Sequence, residues 1–307
     1  VEYCGRFAPS PTGDLHFGSL VSALASWLDA RAHRGRWLLR IEDLDAARAV
    51  PGAAQSILRT LEGLGLAHDG PVEWQRERTA GYADALDRLR QAGLAFACGC
   101  TRGDLAGAAA GIDGPVYPGT CRDGLPPGRA PRAWRVRVDD AMIVVEDAIQ
   151  GRLVQKLDRD VGDFVVRRAD GAWAYQLAVV VDDAAQGVTR VVRGADLLDS
   201  TPRQCHLQRL LGIARPGYAH VPVAVDAQGR KLSKQGLAPA IDRESALAWL
   251  RAALDFLGQP PPATGVGQVG ELLAEAIARW DLRRIPACRT RPAPAFVLQA
   301  SAARSRR

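Results

Sequence analysis

Three groups of residues in this chain have the types and spacing for chemistry. The first lies in Arg6-Phe7-Ala8-Pro9-Ser10-Pro11-Thr12-Gly13-Asp14-Leu15-His16-Phe17-Gly18-Ser19. His16 and Gly18 sit where a helix is predicted to start. Free N–H groups and the helix dipole favour an anion there, and glycine lets it come close. An imidazole at the same point can donate a hydrogen bond to a phosphate whose charge grows during reaction. The second group is Gly229-Arg230-Lys231-Leu232-Ser233-Lys234-Gln235-Gly236, a glycine-flanked cationic loop of the kind that closes over a polyphosphate. Only Lys156, Lys231 and Lys234 are lysines among 40 basic residues, so arginine has displaced lysine almost everywhere except here. Lysine suits the task as a compact charge on a flexible stem. The third is Cys98-Gly99-Cys100 with Cys121. Thiolates at C-x-C spacing can share a zinc ion, and Cys121 supplies a third ligand. No histidine lies between His68 and His206, which leaves the phenolate of Tyr117 or a water as the fourth.

These groups need elements to hold them. Tyr3 to Ala8 reads as a strand, and two prolines with Gly13 make a stiff loop. Leu20, Leu24, Trp27 and Leu28 then share one face of a helix over about 18–33, stopped by Gly35. A strand follows over 37–42, with helices over 51–64 and 79–92 and a short strand over 94–97. Such alternation predicts an α/β fold with a parallel sheet and crossover helices. Residues 98–160 change to Gly, Pro and Cys with short β-like runs at 133–138 and 142–145, as expected of a small insertion. Further strands are predicted over 164–168, 174–181 and 188–193, with Asp170-Gly171 as a hairpin turn. A helix near 201–211 and a strand near 221–225 complete the sheet. Helices are expected over 243–257 and 268–280, and then a Pro/Ala/Arg-rich tail that frays. The expected organisation is 1–97 and 161–240 as two halves of one catalytic domain, 98–160 as insertion and 241–307 as a short helical segment with a basic tail.

The totals set bounds. The chain has 307 residues, enough for two domains or one with an insertion. No apolar run approaches the ~18 residues of a membrane span. No charged-then-apolar leader is visible, and six cysteines in so long a chain fit a reduced, cytoplasmic protein better than a disulfide framework. The net charge of +6 and pI near 9.2 suit a polyanionic partner such as RNA.

The two phosphate-directed elements together resemble the signature pair of class I aminoacyl-tRNA synthetases. His16-Phe17-Gly18-Ser19 is similar to the H-I-G-H motif, with Ser19 in place of the last histidine. Lys231-Leu232-Ser233-Lys234-Gln235 is similar to K-M-S-K-S, with Gln235 in place of the last serine. The resemblance implies a Rossmann-like sheet with ATP, accompanied by Mg²⁺, across its crevice. It implies in-line attack of an amino-acid carboxylate on the α-phosphorus, with His16 and Lys234 as catalytic residues and Gly18 and Lys231 beside them on ATP.

The lead-in Arg6 to Gly13 resembles the glutamyl subgroup; glutaminyl-type members carry a glutamate where Ser10 stands. A glutamate side chain wants a guanidinium clamp. The resemblance offers Arg6, with the adjoining Phe7, Ala8, Pro9 and Ser10, and Arg193. Glu42 is suited to the substrate ammonium and Tyr175 offers a hydroxyl. A complete glutamyl-tRNA synthetase has a large helical anticodon-binding region after the lysine loop, whereas residues 236–307 have room for two helices and a tail. A compact chain of this length has a radius of gyration of roughly 19 Å, too small to span both ends of one tRNA. Over residues 3–240 the pattern resembles the truncated branch of the subgroup, the glutamyl-queuosine tRNA(Asp) synthetases, through Cys-x-Cys, Tyr-x3-Cys and Arg40-Ile41-Glu42-Asp43-Leu44-Asp45. That resemblance implies one structural zinc on Cys98, Cys100, Tyr117 and Cys121. It also implies activation of L-glutamate without tRNA and its transfer to queuosine in the anticodon arm of tRNA(Asp). A monomer is expected, with Arg102, Arg122, Arg129 and Arg132 as candidate phosphate contacts. A minimal glutamyl-tRNA synthetase and a non-catalytic RNA-binding paralogue are the alternatives.

Overall fold

The computed structural model describes residues 2–232, 240–263 and 265–298. Its elements in chain order begin with β1 (Cys4–Phe7), α1 (Phe17–Ala32), β2 (Arg36–Ile41), α2 (Ala53–Gly63), β3 (Glu73–Trp74), α3 (Thr79–Gln91) and β4 (Ala95–Cys98). The middle holds β5 (Ala110–Gly111), β6 (Gly114–Pro115), β7 (Ala133–Val136), β8 (Met142–Asp147), β9 (Gly151–Lys156), α4 (Leu157–Asp160) and β10 (Phe164–Arg167). Then come α5 (Tyr175–Ala185), β11 (Arg190–Gly194), α6 (Thr201–Leu211), β12 (Gly217–Val221), β13 (Val223–Val225), α7 (Ala246–Phe256), α8 (Val269–Arg279) and β14 (Thr290–Pro292).

The parallel set β1-β2-β3 forms one half of the central sheet, and β11-β12-β8-β9 the other, with β11 and β12 parallel. The halves meet where β1 lies beside β11: the Thr189 amide donates to the Cys4 carbonyl at 2.9 Å, and the Cys4 amide to the Thr189 hydroxyl at 2.9 Å. After β1 the chain goes to β2 on one side, and much later to β11 on the other. This is a topological switch point, where α/β sheets open a crevice beyond the carboxyl ends of their strands.

Helix α1 runs under that junction. Leu20, Leu24, Trp27 and Leu28 are buried as expected, but so are Phe17, Val21, Ala23 and Ala25. The helix is covered on both sides, by the sheet and by α7 and α8, so its apolar surface exceeds a single stripe. A second core joins α3, α5 and α6 to β7, β8 and β10.

Three expectations are corrected. Residues 174–181 form no strand: Tyr175 opens α5, and the Val179-Val180-Val181 run is helical because Leu177, Ala178, Val179 and Val180 are all buried by packing. A short apolar run with no polar alternation does not distinguish the two states. The strand at 94–97 exists as β4, but it pairs antiparallel with β7, which also pairs with β10. The antiparallel unit therefore starts before residue 98 and reaches beyond 160, while β8 and β9 inside that span extend the central sheet instead. Residues 281–298 do not fray: β14 pairs in parallel with β13, and Ile285, Ala293 and Val297 are buried. Strand β9, whose alternation is broken by Arg152 and Gln155, was not expected at all.

Candidate active site

Beyond the carboxyl ends of β1, β2, β11 and β12 lies a cavity of about 630 Å³, within the usual range for small-molecule sites. Every described residue assigned from the sequence to the two substrates lines it: Arg6, Phe7, Ala8, Pro9, Ser10, His16, Gly18, Glu42, Tyr175, Arg193 and Lys231. Lys234 lies outside the described residues. The segments flanking it do not: Leu232 lines the cavity, and Ala240 makes a β-bridge with His16.

His16 is the N-cap of α1. Its Nδ1 accepts from the Ser19 amide at 3.3 Å, and its Nε2 lies 3.1 Å from the Ser19 hydroxyl. With Nδ1 accepting, the ring proton sits on Nε2. A side chain at Gly18 would crowd the imidazole, since a Cβ there would lie 3.2 Å from His16 Cε1. Ser19, the departure from H-I-G-H, thus steadies the histidine ring.

Behind the cavity, α5 sends two buried carboxylates to the sheet. Asp183 accepts from Arg6 Nε at 3.2 Å and Nη2 at 3.4 Å, and from Arg40 Nη2 at 2.7 Å. Burial pushes the Asp183 carboxyl up, but the two guanidiniums outweigh it and hold its pKa below the ordinary value. Asp182 accepts from Gln75 at 2.8 Å and Tyr82 at 2.7 Å. Arg40 is fully buried and also bonds Gln186. Arg6 is therefore clamped from behind, its Nε and Nη2 committed to Asp183. Glu42 follows β2, with Oε1 3.6 Å from Arg40 Nη2 and its side chain 11 % exposed. Burial raises its pKa to about 7 despite Arg40 and Arg6, with Asp183 and Asp182 adding to the rise.

Arg193, at the end of β11, is held differently. It donates to His220 Nε2 at 3.0 Å, Tyr175 Oη at 3.2 Å, Thr201 Oγ1 at 2.9 Å and Gln204 Oε1 at 2.8 Å. At the cavity mouth Lys231 Nζ lies 2.5 Å from Asp196, and Arg48 pairs with Asp45 at 2.8 Å. Sequence reasoning missed Arg40, Arg48, Asp147, Asp182, Asp183, Asp196 and His220. The one visible signal was a pair of adjacent acids, Asp182-Asp183, ending an apolar run.

A second, separate cluster unites Cys98, Cys100, Cys121 and Tyr117. The three sulfurs lie within 4.8 Å of one another. Cys100 and Cys121 sulfurs are 3.7 Å apart, and Tyr117 Oη is 3.5 Å from Cys98 Sγ and 3.8 Å from Cys100 Sγ. A tetrahedral zinc with Zn–S near 2.3 Å needs sulfurs about 3.7–3.8 Å apart and an oxygen about 3.5 Å from each sulfur. The Cys100–Cys121 and Tyr117–Cys98 separations match those distances, and the cluster is compatible with zinc. Burial pushes the Cys98 thiol up, but hydrogen bonding with Tyr117, the Cys100 backbone and Arg135 brings it below its usual value. Arg135 donates to Cys98 Sγ at 3.4 Å and stacks on the Tyr117 ring at 4.0 Å. Of the arginines expected at phosphates, Arg122 is tied to Asp163 at 2.6 Å and Arg129 to Asp104 at 2.8 Å. Arg102 and Arg132 are exposed. No helix among the described residues is long and apolar enough to cross a membrane.

A family described as tRNA synthetases class I (E and Q), catalytic domain, matches residues 4–254. A glutamyl-Q tRNA(Asp) synthetase of Chromobacterium violaceum is 58% identical over 286 residues, covering 93% of this chain and 96% of that one. The protein of the same name from Pseudomonas aeruginosa is 53% identical over 292 residues, with 95% and 98% covered. Among solved structures, a glutamate-tRNA synthetase of Elizabethkingia anophelis superposes with a TM-score of 0.81 at 25% identity, covering 99% of this chain and 70% of that one. The switch-point cavity, the histidine-capped helix beneath it and these relatives agree: the chain belongs to the class I glutamyl- and glutaminyl-tRNA synthetase family and, within it, groups with the glutamyl-Q tRNA(Asp) synthetases.

Proposed function

We propose that the cavity activates L-glutamate with ATP and that the protein passes the glutamyl group to queuosine in the anticodon arm of tRNA(Asp). The observation that carries the first step is the convergence of Arg6, Arg193, Glu42 and the helix-capping His16 on a single cavity. Arg6 and Arg193 read the side-chain carboxylate, Tyr175 adds its hydroxyl, and the backbone from Phe7 to Ser10 frames the amino acid. Glu42, ionised, receives the α-ammonium. His16 and the α1 N-terminus face the triphosphate, with Gly18 giving room for it. Lys231 and Lys234 bring ammonium charge to the same phosphates. Leu232 and Ala240, which bracket the segment carrying Lys234, adjoin Gly18 and His16, and this supports the assignment.

In the reaction the glutamate α-carboxylate attacks the α-phosphorus in line and pyrophosphate leaves, giving glutamyl-adenylate. A hydroxyl of the queuosine cyclopentenediol then attacks the acyl carbon, its proton is lost, and AMP departs. His16 and Lys234 stabilise the charge that builds on the phosphates. Zinc on Cys98, Cys100, Cys121 and Tyr117 plays a structural part, distant in sequence from the chemistry and fixing the fold of the antiparallel unit. Mg²⁺ accompanies ATP.

Glutamate-dependent ATP–pyrophosphate exchange without tRNA tests the first step. Transfer of labelled glutamate to tRNA(Asp) with and without queuosine tests the second. Exchange is expected without any tRNA, and transfer only to the queuosine-bearing form. Charging of queuosine-free tRNA(Glu) would establish a minimal glutamyl-tRNA synthetase instead, and no exchange a binding module.

A further inference from the structure

Arg193 differs from the other buried guanidiniums of this site. Arg6 and Arg40 both pair with the carboxylate of Asp183. Arg193 is 5% exposed, yet among the described residues no carboxylate comes within ion-pair distance of it. Its partners are an imidazole, two hydroxyls, an amide oxygen and a carbonyl. A buried cation with only neutral partners lacks the compensating charge that burial calls for, and a ligand carboxylate can supply it.

One acid stands a single side chain further back. Asp147 on β8, His220 on β12 and Arg193 on β11 occupy neighbouring strands, and Arg193 lies directly opposite His220 in the parallel register. Asp147 Oδ2 is 2.6 Å from His220 Nδ1, and Asp147 Oδ1 accepts from the amides of His220, Ile149 and Gln150 at 2.9–3.1 Å. These donors hold the carboxylate still. A carboxylate can only accept, so Nδ1 carries the ring proton. Nε2 is then a lone pair, as the Arg193 Nε–H requires.

We propose that Asp147 and His220 are a positioning pair for Arg193: the acid fixes the imidazole tautomer, and the imidazole fixes the plane of the guanidinium without neutralising it. The inference rests on the reading of Arg193 as a receptor for the substrate's side-chain carboxylate. Direct contact between Asp147 and Arg193 would set the acid in competition with that substrate; the interposed neutral ring avoids it. Burial lowers the His220 pKa to about 4 against the pull of Asp147, in agreement with a neutral ring at pH 7.

Two measurements on the full chain test the pair. Nitrogen-15 spectra of histidine-labelled protein at pH 7, with His220 assigned by its loss in a variant, should show Nδ1 protonated and Nε2 bare. A ring protonated at Nε2, or at both nitrogens, overturns the proposal whether or not glutamate is the substrate. In pyrophosphate exchange, His220→Asn keeps a donor near the Nδ1 position and loses the acceptor; His220→Gln places an amide oxygen near the Nε2 position. His220→Asn should raise the KM for glutamate at least fivefold and leave that for ATP within twofold, and His220→Gln should restore most of the loss. A smaller rise, an equal rise for both substrates, or no difference between the two variants overturns it. Wild-type protein without glutamate-dependent exchange would refute the functional reading instead, and the imidazole spectrum would still decide the pair.

Discussion

Replacing Glu42 by glutamine should make the protein more stable and less active at once. Glu42 lies among Arg40, Arg6, Asp182 and Asp183, and burial raises its pKa to about 7 from an ordinary 4.5. Below about pH 4.5 the carboxyl is protonated in both folded and unfolded chains and has no effect. Between 4.5 and 7 the unfolded chain alone ionises, so folding weakens as pH rises. Above 7 both forms are ionised and the deficit stays constant, at about 3 kcal/mol from the difference between the two pKa values. Glutamine has the shape of the protonated acid and avoids that cost. The Glu42→Gln protein should therefore melt with wild type near pH 4 and about 5 °C above it at pH 8, on the scale that relates free energy to midpoint for large domains. Calorimetry at a series of pH values measures the gap. At pH 8 the same variant should lose glutamate-dependent exchange at least 100-fold, since the ammonium loses a charged acceptor worth about 3 kcal/mol. Equal midpoints at every pH, or a variant less stable than wild type at pH 8, would refute the claim that the site holds this carboxylate at the expense of the fold.

Three further outcomes are expected. Lys234→Ala should lower the rate of pyrophosphate exchange by about 10²–10³-fold with little change in the KM for glutamate, as for loss of one group that meets developing charge; steady-state kinetics separates the two parameters. Cys121→Ser should reduce bound zinc, measured by elemental analysis, from one equivalent to a small fraction, and should lower the melting midpoint. Gly162→Ala should destabilise the protein by about 2 kcal/mol in urea unfolding: the residue has φ +74°, and a Cβ would lie 2.5 Å from the Tyr117 amide nitrogen.

The residues proposed for substrates and metal were legible where their chemistry is local: a histidine and glycine at a helix mouth, lysines kept in an arginine-rich chain, cysteines at ligand spacing. The sheet was legible through Tyr3–Ala8 and Trp37–Glu42, whose apolar runs are bounded by turn residues. The support behind the site was not, because it is assembled across the chain. Asp183 meets Arg6 from 177 positions away, and Asp147 meets His220 from 73. No periodicity records such pairs. Tyr175 shows the same limit in another form: β-branched neighbours favour a strand, and burial against α3 and α6 makes a helix.

Strand β14 has one further consequence. It is the described strand paired with β13, the strand that leads into Lys231. Synthesis is vectorial, so a nascent chain on the ribosome carries His16, Glu42 and Arg193 long before Pro292 has emerged. Until then one flank of β13 lacks its backbone partner, and the anchor for the lysine segment is incomplete. A chain cut short of residue 290 would lack that partner, leaving the strand that leads into Lys231 held only through its other neighbours.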